Sequence, residues 1–132
     1  MNTYSFDEIE IGQTESFEAV IDQKKMNMFA EITGDYNPRH TDQKVVYGML
    51  TSSFLSTLAG MYLPGKNSLI LGVNVEMPNA HNVSEGKSIV TVTGEVTEKI
   101  NVLQMLTLKV KITDSNKILL RGSMKIKVTN DV

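Results

Sequence analysis

The chain has 132 residues, 41% of them apolar and 21% charged, with a formal net charge of −2, which suits one domain, residues 1–132, with a sizeable core. That balance argues against a nucleic-acid surface, which needs a basic face, and no apolar run approaches a membrane span. With no cysteine and only two histidines, His40 and His81, disulfides and thiolate catalysis are excluded and a metal site is not expected.

The amino-terminal stretch is acidic and lacks a signal-peptide core, so the expected location is the cytoplasm. Residues 4–14 read as a lead-in, with Phe6, Ile9 and Ile11 to pin it to the body and a turn at Gly12. Residues 15–21 alternate well enough for a short strand carrying Phe17 and Val20. Asp22 is a good N-cap for a helix to about Thr33, with an apolar side of Met26, Phe29, Ala30 and Ile32 and a stop at Gly34.

The segment Gly34-Asp35-Tyr36-Asn37-Pro38-Arg39-His40 follows that stop directly. Pro38 disfavours helix at Asn37 and fixes its own φ, which predicts a bent loop from Asp35 to His40. Such a loop can turn a carboxylate and an imidazole toward one small volume. The pair suits proton transfer, because histidine titrates near neutral pH and a carboxylate orients or charges it. A plainer reading stands beside it: Asp35 making a helix-terminating turn and His40 lying on the surface. Asn37 reads as a loop brace through its side-chain amide.

After a short polar link, Thr41-Asp42-Gln43-Lys44, comes the strongest helix, residues 48–62, closed by Leu63-Pro64-Gly65. It carries no charge, so it is expected to be buried on most sides. Residues 68–77 read as a strand and 79–87 as a connection that leaves His81 structural or solvent-exposed. In residues 88–98, Val90, Val92 and Val96 share a face; Leu106, Leu108, Val110 and Ile112 alternate with polar residues, as do Leu120, Met124, Ile126 and Val128. Lys125 and Lys127 then lie on a solvated face. Asp114-Ser115-Asn116 makes a hairpin turn. Long alternating strands joined by short turns predict an antiparallel sheet with one wet face. The uncharged helix is the natural cover for the other face, giving an α+β fold with a sheet wrapped around a central helix.

The combination resembles the MaoC-like branch of the hotdog superfamily, particularly (R)-specific enoyl-CoA hydratases. The residues that carry the resemblance are Phe29-Ala30, the Gly34–His40 motif, Tyr47-Gly48-Met49-Leu50, Ser56, Gly60 and Leu63-Pro64-Gly65. A G-D-x-N-P-x-H pattern followed by a G-M-L helix start is fairly specific; either half alone is weak. The resemblance implies a hotdog fold, a homodimer joined sheet edge to sheet edge, an acyl-CoA or acyl-carrier-protein thioester as substrate, and no metal or redox cofactor. It implies that Asp35 and His40 hold the water that adds to C3 of a trans-2-enoyl thioester. The backbone N–H of Gly48 then binds the thioester oxygen, with Asn37, Tyr47, Met49 and Ser56 around the substrate. A helix N-terminus suits that oxygen, since hydration builds enolate charge on it, and glycine there permits a close approach. Ser56 reads equally as a buried hydroxyl bonding back to its own helix. The eight methionines are chiefly core filler, with Met49 and Met61 available to shape an acyl tunnel.

The chain departs from the family pattern in four respects. The family has a further segment between the motif histidine and the G-M-L start, where this chain has only Thr41 to Tyr47. Tyr47 stands where histidine is usual and Arg39 where a small aliphatic is usual. The Pro-x-x-x-Gly-Asp connection is distorted around Pro78 to Lys87. These departures keep three other readings open: a dehydratase acting on acyl-carrier-protein thioesters, a thioesterase, and a non-catalytic acyl-CoA-binding subunit.

Overall fold

A computed structural model describes residues 1–130. Its frame is one five-stranded antiparallel sheet: β1 (Thr14–Asp22), β2 (Ser68–Glu76), β3 (Lys87–Ile100), β4 (Met105–Thr113) and β5 (Ile118–Val128), in the spatial order β1-β3-β4-β5-β2. Alternation dictates which face is covered. Val90, Val92 and Val96 of β3, Leu106, Leu108 and Ile112 of β4, and Met124 and Ile126 of β5 all have 0% exposure. The register sets Val92 opposite Ile112 and Leu108 opposite Met124, so apolar pairs stack across the ladder.

Three helices lie against this frame: α1 (Gln23–Thr33), α2 (Pro38–Thr41) and α3 (Gly48–Thr57), the last running on into a wider π turn at Leu58–Tyr62. In that turn the Leu63 N–H donates to Leu58 O, five residues back. Leu50, Thr51, Leu55, Leu58 and Ala59 of this helical stretch are buried. Leu58 seats on β3 where Gly94 lacks a side chain; a Cβ on Gly94 would stand 2.8 Å from Leu58 Cδ2. The sheet therefore wraps a central helix, the α+β arrangement that the sequence pattern predicts and the hotdog fold that the resemblance implies.

Several local expectations need correction. Helix 48–62 is not buried on most sides: Met49 is 66% exposed, Met61 45%, and Ser56 is exposed too. Its uncharged surface is half uncovered in the single chain. Ile32 is 80% exposed because the covered stripe of α1 runs through Met26 and Ala30, and Ile32 lies across the helix from it. In the lead-in, Phe6 and Ile9 are buried but Ile11 is 66% exposed. Leu119 and Leu120 are both buried, against alternation. Thr113 pairs with Ile118 and Ile112 with Leu120, so Leu119 is an extra residue in the ladder, a bulge that frees it to turn inward. Among the described residues no helix is long and apolar enough to cross a membrane.

Candidate active site

The site is assembled where α1 hands over to α2. The Asp22 carboxylate accepts from Lys25 N–H at the start of α1, and Gly34 ends it in the left-handed region, φ 74°. Two side-chain turns follow in succession. Asp35 Oδ1 accepts from Asn37 N–H at 3.0 Å, and Asn37 Oδ1 accepts from Arg39 N–H at 2.9 Å. The second is the N-cap of α2, and Pro38 fills its first position. The predicted bent loop thus contains a helical turn. Proline at a first helical position forfeits no hydrogen bond, and its φ already suits the helix. Asn37 is the brace expected from its amide, acting through its oxygen.

α2 carries His40, which is partly buried while Asp35 is exposed. His40 Nδ1 lies 2.7 Å from Val45 O. A carbonyl oxygen only accepts, so Nδ1 holds the proton and Nε2 is the nitrogen left for chemistry. The short bridge from Thr41 to Tyr47 is held along its length. Val45 N–H donates to Arg39 O, Val46 N–H to His81 O at 2.8 Å, and Val83 N–H to Lys44 O at 3.1 Å. Lys44 makes the necessary corner with φ 59°.

Tyr47 closes the bridge and is the N-cap residue of α3. Only 3% exposed, it sits among the site's own parts. Its ring stacks on the His40 imidazole, centroids 4.0 Å apart at 25°, and meets Phe29 at 4.8 Å. Its hydroxyl donates to Asp35 O at 2.7 Å. Burial, and then the negative charge of Asp35, push this hydroxyl above its ordinary pKa of 10.0, so it stays a neutral donor. Asp35 and His40 share no hydrogen bond among the described residues; each is attached to Tyr47.

Gly48 follows immediately. Tyr47 O accepts from the N–H groups of Leu50 and Thr51, and among the described residues the N–H groups of Gly48 and Met49 have no partner. Two free donors thus stand at the positive end of α3. Glycine at 48 has a structural cause as well: a Cβ there would collide with Met77 Sδ. Met49 and Ser56 line an apolar cleft of about 510 Å³ between α3 and β2, together with Ile70, Val73 and Met77. Ser56 makes no bond back to its helix, unlike Ser52 and Ser53, whose hydroxyls donate to Met49 O and Leu50 O.

Of the two readings open for His81, structural or solvent-exposed, the structural one holds, with partners that the sequence does not signal. His81 is 9% exposed and hydrogen-bonds at both nitrogens, Nε2 with Thr51 Oγ1 at 3.1 Å and Nδ1 with Ser88 Oγ at 2.8 Å. It joins the first turns of α3 to the start of β3. Burial lowers its pKa below 6.5, against a raising effect of Asp114 and alongside a further lowering by Lys117. No local spacing links residues 51, 81 and 88, so nothing in the sequence signals the cluster.

No family model matches the chain. Among curated proteins it is 25% identical, over 134 aligned positions, to the (R)-specific enoyl-CoA hydratase of Rhodospirillum rubrum, an alignment covering 93% of this chain and 90% of that protein. Among solved structures it is similar to the (R)-hydratase from A. caviae involved in PHA biosynthesis, with TM-score 0.84, 27% identity, and 91% of this chain and 97% of that one covered. The unliganded R-hydratase from Pseudomonas aeruginosa superposes with TM-score 0.88 at 22% identity, over 96% of this chain and 86% of that one, a likeness of fold.

Proposed function

We propose that this chain, which carries the MaoC-like hotdog fold and resembles (R)-specific enoyl-CoA hydratases over nearly its whole length, is itself a hydratase of that kind. The reaction is the reversible addition of water across the double bond of a trans-2-enoyl-CoA, giving an (R)-3-hydroxyacyl-CoA. The observation that carries this reading is the attachment of Asp35 and His40 to one residue, Tyr47, directly before the unpartnered N–H of Gly48.

The chemistry follows from those groups. The Asp35 carboxylate and His40 Nε2 hold a water against one face of the alkene. As its oxygen bonds to C3, the water loses a proton to this pair. The π electrons move through C2 onto the thioester oxygen, which becomes an enolate. Gly48 N–H stabilises that charge at the helix N-terminus, where a fixed donor acts without reorganisation. His40 then returns the proton to C2 on the same face, which makes the addition syn. Water and enoyl thioester supply every atom of the product and no oxidation state changes overall, so the step calls for no redox cofactor. The acyl chain would lie along the apolar cleft beside Met49 and Ser56.

The same reading takes the working form to be a homodimer in the cytoplasm. Asp35 is exposed, and so are Leu69, Leu71 and Val73 on the sheet-edge strand β2, at 51%, 53% and 51%. An apolar edge strand is a template for pairing, and a second copy along it would cover the cleft and the bare side of α3.

Hydration of crotonyl-CoA by variants tests the roles. Asp35→Asn and His40→Gln should each lower the rate on the order of 100-fold, the scale of a positioned acid or base. Turnover at the wild-type rate in either variant would sink the mechanism.

A further inference from the structure

We infer that Tyr47 is the positioning residue of this site, holding the carboxylate segment, the imidazole and the oxyanion donor in one register. This rests on the hydratase reading for its catalytic consequence, but the geometry stands without it. Tyr47 is 3% exposed, which leaves little of it for a substrate to touch. Each of its functional parts is used within the protein. The hydroxyl reaches back twelve residues to Asp35 O at 2.7 Å, across the whole of α2. The ring covers one face of the His40 imidazole, while Val45 O takes its Nδ1–H. Ring stack and hydrogen bond together set the plane and rotation of the imidazole, and hence the direction of Nε2. The carbonyl of Tyr47 begins α3 by accepting from Leu50 and Thr51, so the same residue fixes where Gly48 starts. Phe29 of α1 packs on the ring at 4.8 Å and holds it in place. Within the bridge from Thr41 to Tyr47, no other side chain among the described residues has a hydrogen bond or ring stack to Asp35 or His40.

Two substitutions separate the parts. Tyr47→Phe keeps the ring and loses the bond to Asp35 O; Tyr47→Leu loses both. With crotonyl-CoA, Tyr47→Phe should lower kcat about fivefold at unchanged KM, the worth of one ordinary hydrogen bond. Tyr47→Leu should lower it roughly 100-fold, as expected when a reacting group drifts by an ångström. The second readout is independent of turnover. The chain has only two histidines, so the imidazole Cε1–Hε1 signals are readily assigned with a His40→Gln control. The ring current of Tyr47 should shift the His40 signal, the shift should persist in Tyr47→Phe, and it should vanish in Tyr47→Leu. A raised KM with kcat intact would make Tyr47 a substrate contact and overturn the inference. So would an unmoved His40 signal in Tyr47→Leu. If the wild-type protein hydrates nothing, the hydratase reading fails and the imidazole signal still decides whether Tyr47 holds His40. If Tyr47→Leu does not fold, Tyr47→Phe decides alone: kcat falling in a folded protein supports the role, and kcat unchanged overturns it.

Discussion

Single residues carry most of what is particular to this chain. His81 is buried and doubly hydrogen-bonded. Its pKa is lowered in the folded protein, chiefly by burial. The unfolded chain therefore takes up the proton first as pH falls. The stabilising contribution of neutral His81 is complete above about 6.5 and is lost as pH drops toward its folded value. Glu8 is likewise held below 4.5, by the backbone and then the side chain of Ser5, so its own loss of stability falls in a more acid window. The melting temperature should thus start to decline below about 6.5, and His81→Gln should flatten that first part of the curve. A wild-type curve flat through that window would contradict this. Much of the site was readable at this scale. Asp22, Gly34 and Asn37 do what their side chains or flexibility predict. The partners of His81 and Tyr47 were not readable, because they come from long-range closure and not from local spacing.

At the level of elements, the alternation in β3, β4 and β5 was clear enough to assign the covered face residue by residue. It works because each strand has one dry and one wet side. The sequence did not show where that rhythm breaks. The bulge at Leu119 and the π turn at Leu58–Tyr62 are answers to packing, not to propensity. α2 went unseen for a similar reason: four residues are too few for a periodic signal, and the proline that suggested a loop is a legitimate helix start. One joint between helix and sheet is Leu58 against Gly94. Gly94→Ala forces a methyl into that contact and should cost about 1–3 kcal/mol by chemical denaturation. Leu58→Ala empties the same place and should cost about 2–5 kcal/mol. A negligible effect from both would mean that α3 is held elsewhere.

The whole molecule, as a single chain, is unfinished on one side. A helical stretch without charge leaves Met49 and Met61 uncovered, and β2 leaves an apolar edge beside Met49. The sequence did predict a dimer, but only through family resemblance; the uncovered surface gives it a physical reason. The protein should run in light scattering at twice its 14.6 kDa chain mass. Val73→Lys puts a charge on the exposed edge, and it should shift the mass to that of one chain and lower activity together. A dimer unaffected by Val73→Lys would place the interface elsewhere. One assay reaches the chemistry of Asp35, His40 and Gly48 directly. Purified protein is given crotonyl-CoA, the enoyl-thioester absorbance and free thiol are followed, and the product is resolved by chirality. Loss of absorbance with no thiol released, and (R)-3-hydroxybutyryl-CoA as the product, is the predicted result. Unchanged absorbance, release of free coenzyme A, or the (S) product would contradict it.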